Sequence, residues 1–287
     1  MTFTPLSIVV LVVSIAVTAS VSGHEFWIQP DRFRTRVDAS VDLRLYVGDG
    51  FPGEHKPRDA KKLERLDVIG PDADSNPVAV EGKDGADPVG SFTPVKPGVY
   101  VVSYRGREST LTLEAEKFEN YLREEGLEEV IKKRSELNES MTPGREAYSR
   151  CAKSLLCAGN STDGAWNVKS GLTVEIVPAS NPYAAHAGDT VGFVLLRDGK
   201  PVANAQLTGL SQVAGKTVRA TARTDAAGKA SFTLKQSGLW VINAVLMDRV
   251  DAKAGRADVD WVSIWSSLSF DIAGANQVEP AAPDSKR

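Results

Sequence analysis

The sequence predicts a mainly β protein, organised as two β-sandwich domains of immunoglobulin or transthyretin type with a short helical insert between them. Three observations carry this. On both sides of the middle of the chain, short stretches alternate apolar and polar residues, as in Val41-Asp-Leu-Arg-Leu-Tyr-Val47 and Leu172, Val174, Ile176. Gly, Pro and Asp clusters separate those stretches. Helical spacing takes over only between residues 114 and 160.

The chain opens with Leu6 to Val17, an apolar run of signal-peptide length, short of the ~20 residues a membrane-spanning helix needs. The residues before it hold no Lys or Arg, so the terminal amine supplies the only positive charge there. Val21 and Gly23 suit signal peptidase for a cut in front of His24. Thr18 and Ser20 offer a second cut that would leave Val21 first. A leader over 1–23 implies a periplasmic or secreted protein with no membrane span in its mature part.

Residues 24–113 read as the first sandwich. After the strand at 41–47, Gly48-Asp-Gly-Phe-Pro-Gly-Glu-His55 forms a turn, and Pro97-Gly98 precedes a strand from Val99 to Tyr104. Residues 114–160 read as a helical connector. Phe118, Tyr121 and Leu122 make one apolar stripe and Leu127, Val130 and Ile131 another, with Glu128–Lys132 and Glu129–Lys133 as pairs one turn apart. A third helix is expected from Thr142 as cap and Pro143 in the first turn, with Tyr148, Cys151, Ala152 and Leu155 on one face. Residues 171–272 read as the second sandwich, with turns at Asp198-Gly199 and Asp225 to Gly228 and strands at 239–245 and 261–270. The tail 273–287, rich in Ala, Pro, Asp and Lys, reads as disordered.

Composition narrows the function. A net charge of −3 gives no electrostatic reason for a nucleic-acid or anionic-membrane partner. Cys151 and Cys157 are either a disulfide or two small buried apolar residues. One continuous helix would set them about 240° apart around its axis, so a bridge requires the helix to end between them. No Gly-x-Ser-x-Gly, His-Glu-x-x-His or Cys-x-x-Cys motif occurs, and no enzyme is predicted. Trp240 and Trp265 fall in alternating strands and read as core, which argues against a sugar-stacking platform.

The three histidines are His24, His55 and His186. If the leader ends at Gly23, the α-amine and imidazole of His24 can chelate one ion from a single residue. A further imidazole would complete a three-nitrogen set suited to copper(II) or nickel(II). His55, beside Asp49 and Glu54 in sequence, is the first choice for that helper; His186, after the Asn181-Pro-Tyr183 turn, is the second. Each also has a plainer reading, as a strand start, a solvated hairpin and a surface turn respectively.

The segments His24-Glu-Phe-Trp-Ile-Gln-Pro30, Gly48-Asp-Gly-Phe-Pro-Gly-Glu54, Tyr121-Leu-Arg-Glu-Glu-Gly-Leu127, Asn181-Pro-Tyr183 with Ala187-Gly-Asp189, Asp198-Gly-Lys-Pro201 and Gly238-Leu-Trp240 resemble the exported bacterial proteins grouped as DUF4198, once labelled a nickel-transport subunit. The resemblance extends over the mature chain. It implies an exported β-rich protein associated with metal uptake, and no particular reaction. The resulting expectation is a periplasmic protein that binds nickel, cobalt or copper in metal uptake, with a membrane permease or an outer-membrane receptor as partner. The alternatives are an envelope interaction module without a metal site and, more distantly, a copper oxygenase with a terminal histidine brace.

Overall fold

The computed structural model describes residues 25–73, 78–251 and 256–273. The leader expected at 1–23, His24, and all but the first residue of the tail expected at 273–287 lie outside the described residues. The strands in chain order are β1 (Glu25–Pro30), β2 (Arg34–Thr35), β3 (Val41–Gly48), β4 (Glu54–Lys56), β5 (Leu63–Ile69), β6 (Val78–Ala79), β7 (Gly90–Phe92), β8 (Gly98–Gly106) and β9 (Ser109–Leu113). Two helices follow, α1 (Ala115–Glu124) and α2 (Glu128–Glu136). Then come β10 (Gly144–Ala158), β11 (Val174–Pro178), β12 (Thr190–Arg197), β13 (Lys200–Pro201), β14 (Gln206–Val213), β15 (Lys216–Arg223), β16 (Lys229–Thr233), β17 (Gly238–Arg249) and β18 (Trp261–Ile272). The protein is mainly β, as its alternation and turn chemistry predict.

A ten-stranded sheet runs in the order β15-β14-β17-β18-β10-β8-β5-β6, with β2 and β9 also paired to β10. Two four-stranded sheets accompany it: β1-β3-β4 with β7 on β3, and β11-β12-β13 with β16 on β12. The alternation of side chains along β8 shows how they stack. Val99 and Val101 join a core with Ile176, Phe193 and Phe232, while Tyr100, Val102 and Tyr104 join another with Ile28, Leu43 and Phe92. In β10, Leu155 and Cys157 take the first core and Ala152, Leu156 and Ala158 the second. The large sheet is therefore the shared middle layer of two sandwiches, and it draws strands from both sides of the expected connector. A strand covered on both faces reads as a continuous apolar run, which accounts for Gly98-Val-Tyr-Val-Val-Ser-Tyr104.

The third helix expected from Thr142 is instead the 15-residue strand β10. From Cys151 to Ala158 every residue is buried, so a stripe at helical spacing can be drawn through the segment although its neighbours are equally apolar. Pairing with β18, β8, β9 and β2 overrides the helix propensity of its Ala, Leu, Lys and Arg residues. Thr142 closes a turn by bonding the Glu139 carbonyl at 2.8 Å. Both cysteines are buried. Six residues apart on one strand, they are separated by about 20 Å, beyond the roughly 7 Å a disulfide spans; the buried-thiol alternative holds.

The two remaining helices form as expected and pack Phe118, Tyr121, Leu122 and Val130 against Leu113, Met247 and Trp261. Their hub is the fully buried Arg134. It bonds Glu119 at 2.7 Å and the carbonyls of Glu139 and Thr142 at 2.7 and 2.8 Å, and stacks over Phe118 at 4.8 Å. The surface pairs on α2 differ from expectation: Glu128 pairs with Arg223 on β15, and Lys133 with Glu136. Trp240 is buried, and Trp265 is partly buried and stacked on Tyr121 at 5.4 Å. None of the five tryptophans is exposed.

Candidate metal-binding site

His24 lies outside the described residues, so the site is built from its neighbour Glu25. β1 pairs antiparallel with β3, setting Glu25 opposite Gly48 and Trp27 opposite Tyr46. Strand alternation sends Phe26 and Ile28 into the core shared with β8 and Glu25 and Trp27 to the other face, toward β14 and β15. Trp27 is completely buried, stacked on Tyr46 at 5.3 Å and edge-on to Phe51 at 5.6 Å. The turn after β3 folds over its ring. Gly53, at φ +73°, comes so close that a Cβ there would sit 2.5 Å from Trp27 Cη2. Phe51 N–H donates to Thr217 Oγ1 at 2.8 Å, and Arg219 donates to the Asp49 carbonyl at 2.7 Å, so the turn is docked on β15.

Between this turn, the C-terminal end of α1 and strands β14 and β15 lies a cavity of about 390 Å³ lined by Glu25, Asp49, Glu124, Glu125, Thr208, Arg219 and Thr221. Its lining holds four acidic side chains and one guanidinium. Glu25 is 3% exposed; one of its oxygens accepts a hydrogen bond from Arg219, and the other, Oε2, is buried with no hydrogen-bond partner among the described residues. Desolvation, and then the charge of Glu25, push the Glu125 carboxyl up to about 8, with Arg219 pulling the other way and Glu124 adding to the rise. Burial works against the Arg219 charge, but Glu25, Glu125 and Asp49 more than offset it and raise its pKa. The end of α1 adds the negative pole of a helix. It is held there by Gln206 on the Glu124 carbonyl at 2.8 Å and Arg223 on the Gly126 carbonyl at 3.0 Å.

His55 is the middle residue of the returning strand β4, opposite Tyr46, so that Trp27, Tyr46 and His55 form one row across three strands. Its ring meets Tyr46 edge-on at 4.7 Å, and its Nδ1 lies 2.9 Å from Asp87 Oδ2. Two strands and two residues separate it from Glu25, about 12 Å by strand spacing. His186 follows the turn Pro182–Ala184, is 85% exposed on its side chain, and has Asp189 3.7 Å from its Nδ1. The fold does not bring His55 and His186 together. Among the described residues no group of three or more His, Cys, Asp or Glu side chains closes on a single point as a metal site.

Glu25, Glu124, Glu125 and Arg219 were not singled out by the sequence. A partial signal existed: the segments beginning at His24, Gly48 and Tyr121, quoted above for their resemblance, contribute Glu25, Asp49 and Glu124 with Glu125 to one cavity. Residues 21–248 match the family described as a domain of unknown function, DUF4198. The chain belongs to the DUF4198 family. The matched span stops within β17, so β18 lies beyond the DUF4198 region, short of the full-length coverage expected. None of the curated proteins matches this DUF4198 chain. Among solved structures, it is similar to the "tetra-tandem repeat in extending region of large adhesion protein", at 13% identity and a TM-score of 0.22. The alignment covers 87% of this chain and 49% of that one, about half its length. At that TM-score the likeness carries no argument about fold or function. No helix among the described residues is long and apolar enough to cross a membrane.

Proposed function

We propose that this DUF4198 protein is exported and binds one transition metal ion, nickel, cobalt or copper, through His24 as the first residue of the mature chain. The role is binding for uptake, in the periplasm, with a permease or outer-membrane receptor as partner, and involves no catalysis. The observation that carries the reading is the buried, unpartnered Oε2 of Glu25, one residue from His24, in a cavity with three further carboxylates and a single arginine. An α-amine and imidazole from one residue supply two nitrogens without the ordering cost of gathering separate side chains. A carboxylate oxygen beside them makes a mixed donor set that borderline divalent cations accept. Glu25 follows His24 directly in sequence, whereas the Nδ1 of His55 is engaged by Asp87 at 2.9 Å and that of His186 has Asp189 at 3.7 Å.

Mass spectrometry of the exported protein fixes its first residue, and calorimetric titration with copper(II) and nickel(II) measures binding. The expected result is a His24 terminus and one tight site, lost in His24→Ala and weakened in Glu25→Gln. Tight binding indifferent to both substitutions would refute the site. A well-folded His24-first protein with no binding would leave the interaction module as the reading.

A further inference from the structure

Another cavity, on the opposite face of β1, has about 360 Å³ of space, within the range of small-molecule pockets. Phe26, Leu45, Leu63, Leu66 and Val89 give it apolar walls. Its charged groups are mostly basic: Lys56, Arg58, Lys62 and Arg150 against the single carboxylate of Asp59. Two of the four cations are already engaged, Lys56 with Glu54 at 3.1 Å and Arg58 with the Val89 carbonyl at 2.8 Å. Arg150 is different. Its guanidinium lies over the ring of Phe26 at 4.7 Å and beside that of Tyr148 at 5.2 Å. Its Nε is buried without a hydrogen-bond partner, and no carboxylate pairs with it among the described residues.

A cation removed from water normally has a counter-charge. Ring faces compensate Arg150 in part, but they leave its Nε without a hydrogen-bond partner. Burial accordingly pulls the pKa of Arg150 below its ordinary value. Tyr104, also in the wall, is pushed up to about 12 by burial, further above neutral pH than an ordinary phenol. The pocket offers apolar walls, a fixed guanidinium, a neutral hydroxyl and a basic rim with Lys62 at its mouth.

We infer that this pocket binds a small organic anion with an apolar body, an aliphatic or aromatic carboxylate, whose head group takes the donors of Arg150 and whose body lies between Phe26, Leu45 and Leu63. Charge-assisted bonds from a guanidinium to a carboxylate are strong and directional. The apolar walls give no reason to favour a fully hydrated inorganic anion. The inference is independent of the metal reading, because the two cavities lie on opposite faces of β1.

Octanoate titrated calorimetrically into the mature protein tests it, with octanol and octyltrimethylammonium as probes of equal chain length. Saturable one-to-one binding of octanoate is expected, at least tenfold tighter than either control, weakened at least tenfold by Arg150→Met and unchanged by His24→Ala. Should Arg150→Met fold poorly, Leu63→Trp, which fills the cavity from its wall, is expected to abolish binding instead. Octanoate that fails to saturate, octanol that binds as well as octanoate, or a folded Arg150→Met that binds like the parent would each overturn the inference. So would full binding by Leu63→Trp.

Discussion

Arg219 on β15 donates a hydrogen bond to one oxygen of Glu25 on β1, across 194 residues of sequence, and leaves the other oxygen buried with no partner among the described residues. The pair ties the first strand to the C-terminal half of the molecule and fixes the chain one residue after His24. Removing the guanidinium in Arg219→Met strands the Glu25 charge. Glu25 is buried but Arg219 is 44% exposed on its side chain, so the loss falls between that of a surface pair and a buried one, about 1–3 kcal/mol. Urea unfolding at neutral pH checks this. A loss below about 0.5 kcal/mol, the size of an ordinary surface change, would mean the pair does not anchor β1.

Arg134 should be far more sensitive. It is 1% exposed and serves Glu119 and two carbonyls that close the turn before β10. Arg134→Met leaves the Glu119 charge buried and two acceptors unmade, for an expected loss of about 3–5 kcal/mol. Arg134→Lys should rescue little, because an ammonium cannot reproduce the fork. Equal stability of the Lys variant and the parent in denaturant would refute the fork's role.

Gly144 opens β10 where the ring of Phe118 crosses from α1, leaving no room for a Cβ. Gly144→Ala should displace α1 and cost about 1–3 kcal/mol, the usual penalty of overpacking. A double substitution with Phe118→Leu should recover part of it. If the single variant is as stable as the parent, α1 does not rest on this strand as described.

Glu146 is buried between Tyr121 and Ser263, accepts hydrogen bonds from both hydroxyls, and has no ion pair among the described residues. Burial pushes its carboxyl up to about 7, against the hydrogen bonds of Ser263, Tyr121 and Trp265, which pull it down. The folded protein thus holds a proton that the unfolded chain releases above about pH 4.5. Stability should fall as pH rises from about 4.5 to 7, by roughly 3 kcal/mol from this group. Glu146→Gln should flatten that part of the melting-temperature profile, and an unchanged slope would contradict the assignment.

The β class was legible because alternation survives wherever one face of a strand is wet, as at Val41 to Val47. The stripes of α1 and α2 were legible for the same reason. β10 was not: with cores on both faces, Ala152, Leu155 and Leu156 carry no period, and Thr142-Pro143 imitates a helix start. Nor was the sharing of one sheet, which rests on pairings such as β10 with β18, more than a hundred residues apart. The acidic cavity was legible in pieces only. Glu25, Asp49, Glu124 and Glu125 stood in segments already singled out, but the approach of β15 that brings Arg219 among them has no local signature.

In the proposed function a free terminus at His24 and the cavity beside Glu25 form one cation site. Two forms of the protein decide it: one beginning at His24 and one carrying a single additional Gly before it, each titrated with nickel(II) and copper(II) at pH 7.5. A single site is expected in the first form and at least a hundredfold weaker binding in the second, since the extra residue removes the α-amine from the chelate. Equal affinities in the two forms would contradict it.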